Sequence, residues 1–228
     1  MKVEIWSDFV CPFCYMGKKR FELALKKFKH KDKVEIIYRS YELNPNIEKV
    51  GNPNQVDSLM QKYGMEKEEV MSMLNDIVMQ GSELGLEYNF EKSIATNTMD
   101  AHRLFHYAKT KGDVAPLINM LFKSHFTDGL NISDHKVLTN ITQELGYNQE
   151  EVMQVLESDK YKEDVLEDEL RARLVGVRGV PFFVINEEYW ISGAQPVEEF
   201  LQALDEVWAE NNINNLEGDT CTEDMCDF

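Results

Sequence analysis

A chain of 228 residues, 43% apolar and 29% charged, has the composition of a globular protein long enough to bury a substantial core, as one elaborate domain or two small ones. Acidic residues outnumber basic ones 41 to 24, and the formal charge of -17 repels phosphate backbones and anionic lipid, so neither nucleic acid nor membrane is expected as a partner. No apolar run approaches the ~20 residues of a membrane span, and Met1-Lys2 leads into a strand pattern without a secretory apolar region, which makes the expected location cytoplasmic.

Val3-Glu4-Ile5-Trp6 alternates as a half-buried strand does. Cys11-Pro12-Phe13-Cys14 follows, and from Tyr15 the apolar positions Met16, Phe21, Leu23, Leu25 and Phe28 spread around a helix. The two cysteines therefore fall at a helix start, where unpaired N–H groups and the helix dipole favour a thiolate. Cys11 is expected to be the exposed nucleophile, and Cys14, one turn in and more shielded, to attack the mixed disulfide that Cys11 forms. Where cellular thiols are kept reduced, closely spaced cysteines point to catalysis or metal binding more than to structural staples.

Val34 to Tyr41 reads as a second strand, rich in β-branched and aromatic residues. Asn44-Pro45-Asn46 and Gly51-Asn52-Pro53-Asn54 break the pattern, and from there the periodicity is helical: 67–84, 97–110, 114–126, 134–145, 150–157 and 161–174. Asn148 with Glu151 forms a capping-box pattern, and Gly112, Gly129 and Gly146 fall at expected helix C-termini. Met60, Met65, Met71, Met73 and Met79 are read as core, with an adaptable apolar groove near the thiols as the alternative. His102 and His106 share a helix face, but no third metal ligand follows from the spacing. Asp8, three residues before Cys11, caps a strand end or, if buried, relays the proton of Cys14.

Gly176-Val177-Arg178-Gly179-Val180-Pro181 leads into the strand 182–185, a turn at Asn186-Glu187-Glu188, the strand 189–191 and a last helix opened by Pro196. From Asn211 the chain is polar and acidic and is expected to be a flexible tail. It carries Cys221-Thr222-Glu223-Asp224-Met225-Cys226, a C-x4-C pair that admits a second redox site, a metal site or two incidental thiols. Ten residues of extended chain before Cys221 span roughly 30 Å, enough for a relay to the first pair.

The order βα with C-x-x-C, then β, and much later α, Val-Pro, β, β, α resembles a thioredoxin-like fold interrupted by an all-helical insertion domain, as in the DsbA-like oxidoreductases. Within them the chain looks most like the FrnE-like subgroup, on the strength of 6–17 (Trp6-Ser7-Asp8-Phe9-Val10-Cys11 through Gly17), Asn97-Thr98 with Ala101-His102-Arg103-Leu104, and 176–184. The resemblance covers roughly 1–210. It implies a thioredoxin-like domain of 1–45 and 166–210, a helical insertion of 46–165 and the tail 211–228. It also implies that Cys11 is the nucleophile, Cys14 the resolving thiol and Pro181 a cis-proline facing them, although cis is a small minority of X-Pro bonds. Pro12, Phe13 and the backbone of Val180 are then expected to contact an extended thiol substrate, and His102 to face the redox site.

Phe13 stands where the family often has histidine and cannot donate to the thiolate, which weights the expectation toward a disulfide reductase or isomerase. No metal or organic cofactor is expected. Glutathione or another thiol resets the pair, and the substrates are protein or small-molecule thiols and disulfides. Two other classes compete: a glutathione-dependent isomerase or transferase of the hydroxychromene-carboxylate isomerase or kappa-class type, whose members usually have serine at the reactive cysteine, and a client-binding chaperone module.

Overall fold

The computed structural model describes residues 1–49 and 54–218. Its sheet has four strands among the described residues, β1 (Lys2–Ser7), β2 (Glu35–Ser40), β3 (Phe182–Ile185) and β4 (Tyr189–Ser192), in the order β2-β1-β3-β4. β1 and β2 are parallel and are joined through helix α1 (Pro12–Lys27), while β3 pairs antiparallel with both β1 and β4. Asn186 and Glu187 adopt positive φ of 49° and 65° between β3 and β4, the backbone that a tight hairpin turn requires.

Alternation along β1 sorts its side chains between two layers. Val3 and Ile5 join Phe21, Phe28, Phe183, Phe200 and Leu204 in a core under α1 and the last helix, α9 (Val197–Gly218). Trp6 and Glu4 face the other side, under α8 (Lys162–Val175). There Glu4 is buried but fully paired: Arg39 Nη2 and Arg171 Nη2 each donate to its carboxylate at 2.7 Å. Arg39 also reaches Asp168 at 2.7 Å, and Trp6 Nε1 donates to the Asp168 carbonyl at 3.0 Å, so polar contacts fasten α8 to the sheet.

Between β2 and α8 the chain forms six helices: α2 (Gln55–Tyr63), α3 (Lys67–Glu83), α4 (Met99–Lys109), α5 (Ala115–Phe126), α6 (His135–Glu144) and α7 (Gln149–Leu156). They build a second core around Leu104, Phe105, Leu121, Phe122, Phe126 and Leu138. The expected thioredoxin-like sheet with a helical interruption is thus observed. Three details differ from expectation.

Helix α2 is an addition: Asn54 caps it by accepting from Val56 N at 2.8 Å, and Gly64 ends it at φ 64°. Helix α8 begins at Lys162, so a boundary at 165/166 would cut it. Helix α9 continues to Gly218, whereas a tail was expected from Asn211; no Gly or Pro interrupts 197–217, and elongating a nucleated helix costs little.

Candidate active site

Cys11 is the N-cap of α1 and Pro12 its first residue, a position where the missing proline N–H costs nothing. The neighbouring thiols are both free and both buried, Cys11 at 5% exposed and Cys14 at 1%. The expectation of an exposed Cys11 is therefore corrected. The Val180-Pro181 loop lies against Cys11, and Cys11 also lines a pocket.

The Val180-Pro181 bond is cis. Cys11 Sγ donates to the carbonyl oxygen of Val180 at 3.5 Å, which brings the first thiol against the loop from the far end of the chain. Gly17, one turn beyond Cys14 in α1, permits this approach: a Cβ there would lie 2.8 Å from Pro181 Cγ and 3.5 Å from Ala194 Cα. Gly193 N donates to Pro181 O at 2.8 Å and fixes the loop from behind.

Cys14 sits deeper, where Asp8 N donates to its sulfur at 3.5 Å. Burial pushes the Cys14 thiol well above its ordinary range, and the adjacent Cys11 sulfur adds to the rise. Asp8 is itself buried. One carboxylate oxygen accepts from Leu43 N at 2.8 Å, and the other lies 3.4 Å from His102 Nε2. His102 is thus behind the thiols, packed on Phe9 at 4.6 Å between ring centroids, and does not line the open pocket. His106, one turn on, faces away to Asp168 at 3.1 Å and Ser40 Oγ at 3.1 Å, so the two histidines do not converge on one point.

In front of Cys11 lies a pocket of about 390 Å³. Phe13, 43% exposed, and Leu43 stand at its mouth; Leu59 of α2, Met73 and Ile77 of α3 and Phe90 form its walls. Of the methionine-rich stretch only Met73 lines it, while Met60, Met65 and Met71 pack against the insert's core and Met79 is exposed. Lys62 and Asp76 are the charged residues among its lining.

Two contributors escaped sequence reasoning. Tyr88 donates to Pro12 O at 2.8 Å and so touches the dipeptide between the cysteines. Leu86, Tyr88 and Phe90 are buried in alternation with Glu87 and Asn89, an extended pattern of three buried residues that can be read in the sequence once the flanking helices are set aside. Glu42 is buried beside Asp8 and Glu169, and burial pushes its carboxyl up to about 7.

Cys221 and Cys226 lie outside the described residues.

This geometry agrees with what the chain is similar to. The model of the DSBA-like thioredoxin domain matches residues 2–205. The chain belongs to that family. It is accordingly an enzyme of the disulfide oxidoreductase and isomerase group. It is 37% identical to a "probable DsbA oxidoreductase SCO1869" from Streptomyces coelicolor, whose crystal structure superposes with a TM-score of 0.88 over 100% of this chain and 94% of that one. Uncharacterized protein YwbO of Bacillus subtilis (strain 168) is 29% identical over 209 residues, 89% of this chain and 94% of YwbO. The cytosolic disulfide reductase DsbM from Pseudomonas aeruginosa, solved with GSH, shares the fold with a TM-score of 0.60 at 13% identity, covering 94% of this chain and 100% of DsbM.

Among the described residues no group of three His, Cys, Asp or Glu side chains is placed to hold a metal ion, and no helix is long and apolar enough to cross a membrane.

Proposed function

We propose that this chain is a cytoplasmic dithiol–disulfide oxidoreductase, working as a reductase or isomerase through Cys11 and Cys14. The observation that carries the reading is the Cys11 sulfur at a helix N-cap, 3.5 Å from Val180 O beside cis-Pro181, at the floor of an apolar pocket. The Cys11 thiolate attacks one sulfur of a substrate disulfide, and the displaced sulfur leaves as a thiolate and takes a proton. Cys14 then loses its proton and attacks the Cys11 sulfur, releasing the second substrate thiol and leaving a Cys11–Cys14 disulfide. Glutathione or another thiol reduces that disulfide and resets the enzyme.

The division of labour follows from burial. Cys11 reaches the pocket, whereas Cys14 is held behind it with its proton retained until the mixed disulfide forms close by. Pro12, Phe13 and the Val180 backbone line the approach of the substrate, with the insertion supplying the opposite wall. His102 acts in this reading through Asp8 and not by touching substrate. The reductive direction is supported by Phe13, which offers the thiolate no donor, and the compartment by likeness to DsbM, a cytosolic disulfide reductase.

A glutathione-dependent isomerase or transferase is less favoured. Enzymes of that type usually carry serine at the position of the reactive cysteine, whereas this chain keeps both Cys11 and Cys14. The proposed turnover uses Cys11 and Cys14; Cys221 and Cys226 lie outside the described residues. The test is trapping: Cys14→Ser should accumulate mixed disulfides through Cys11, identified by mass spectrometry. Retention of insulin-disulfide reduction by Cys11→Ser would refute the mechanism, and loss of reduction with client binding retained would add a chaperone role.

A further inference from the structure

Tyr88 donates its phenolic hydrogen to the carbonyl oxygen of Pro12. That carbonyl belongs to the same peptide unit as the Phe13 N–H, which donates to no acceptor among the described residues. The Phe13 amide is the second of α1, one of the two from which an N-cap side chain ordinarily accepts a hydrogen bond; the next, Cys14 N, is already committed to Cys11 O at 3.0 Å. As a thiol, Cys11 does not cap the helix and donates to Val180 O instead. Once ionised it has no hydrogen to give, a carbonyl oxygen repels it, and beside the Cys14 thiol hydrogen the uncommitted backbone donor at the helix start is the Phe13 N–H.

We infer that Tyr88 is a positioning residue for Cys11: by hydrogen bonding Pro12 O it polarises the Pro12–Phe13 peptide and strengthens the Phe13 N–H as donor to the Cys11 thiolate. A residue of the helical insert thereby tunes the reactive sulfur by a route that the Phe13 side chain, lacking a donor, does not provide. The hydroxyl is held for this task. An added Cβ at Gly81 would fall 2.3 Å from Tyr88 Cε2, so the ring fills a notch in α3, and it stacks on Phe90 with centroids 5.4 Å apart. Burial keeps the phenol protonated, and hence a donor, at any working pH.

The inference rests on Cys11 as the nucleophile, and the experiment separates the two. Alkylation of reduced protein by iodoacetamide is followed against pH, with Cys11 and Cys14 resolved by mass spectrometry, for wild type, Tyr88→Phe and Tyr15→Phe. Cooperative strengthening of roughly 10–30% on a charge-assisted bond corresponds to an upward shift of the Cys11 midpoint by about 0.1–0.7 pH unit in Tyr88→Phe, a loss of thiolate at neutral pH of up to about fivefold. Tyr15→Phe, which removes a neighbouring hydroxyl that does not touch Pro12, should not shift it.

Gly81→Ala, which crowds the ring out of its notch, should reproduce the shift should Tyr88→Phe fold poorly. An unmoved midpoint in Tyr88→Phe, or an equal shift in Tyr15→Phe, overturns the inference and leaves Cys11 as nucleophile intact. Slower alkylation of Cys11 than of Cys14 in the wild type overturns that assignment and the inference with it.

Discussion

The contact between Gly17 and Pro181 gives a prediction whose sign opposes helix propensity. Alanine is preferred to glycine inside a helix by about 1 kcal/mol, so Gly17→Ala would stabilise α1 if nothing lay against it. The added Cβ, however, would meet Pro181 Cγ at 2.8 Å, and ordinary contact begins at 3.4 Å, so the loop or the helix must give by about 0.6 Å. Overpacking of this kind costs about 1–3 kcal/mol, which leaves a net loss of about 1 kcal/mol and a lower urea midpoint. The catalytic effect should be the larger one. A misplacement of 1 Å at a reacting site costs on the order of 100-fold, so a 0.6 Å retreat of the Val180-Pro181 edge from Cys11 predicts a loss of about tenfold in the second-order rate of insulin-disulfide reduction. Reaction with hydroxyethyl disulfide, too small to use that edge, should fall less. A variant with a raised urea midpoint and insulin reduction within twofold of wild type would refute the claim that this close approach positions the substrate edge.

Two further predictions concern buried carboxyls. Burial alone would raise Glu4, but hydrogen bonds from Arg171 and Arg39 outweigh it and hold the carboxyl below its ordinary value; Glu4→Gln, which leaves two guanidinium groups short of charge, should cost about 3–5 kcal/mol in urea denaturation near neutral pH. Because the folded value is depressed, that contribution is present above the unfolded carboxylate value of about 4.3 and is lost as pH falls through the folded one, so the gap between wild type and variant should close in acid. Glu42 has the opposite sign: burial raises it to about 7, so stability is full below the unfolded value and falls as pH rises through 7. Glu42→Gln should therefore be more stable than wild type at pH 8, by about 1–2 kcal/mol after allowance for solvent screening, and no more stable at pH 4; equal pH profiles for the two proteins would refute it.

What could be read from the sequence was what local pattern encodes. The alternation of Val3 to Trp6, the cysteines ahead of a helical run and Val180-Pro181 ahead of a strand sufficed for the sheet and the helix that follows Cys11, and glycines 112, 129 and 146 do carry positive φ. Helix α2 was missed because Gly51-Asn52-Pro53-Asn54 reads as a break, although the last residue of that break is the helix cap. Glu4 looked like the solvent face of a half-buried strand; its burial depends on Arg39 and Arg171, which lie 35 and 167 residues away. The same holds for Asp8 and His102, whose pairing across the two parts of the fold has no local signature.

These long-range contacts have a common location, and it bears on mechanism. The thioredoxin-like part supplies the sulfurs and the Val180-Pro181 edge. The insertion meets that machinery from three sides: Tyr88 at the peptide between the cysteines, His102 at the aspartate behind Cys14, and α2 with α3 at the wall of the pocket before Cys11. None of the three contacts survives if the insertion swings away from α1. A rigid sheet with a detachable helical cap would let substrate select the closed form only by binding it more tightly, whereas a cap already hydrogen-bonded to Pro12 holds the thiols in one arrangement before substrate arrives. The buried state of Cys11, 5% exposed yet open to the pocket, accords with the second arrangement.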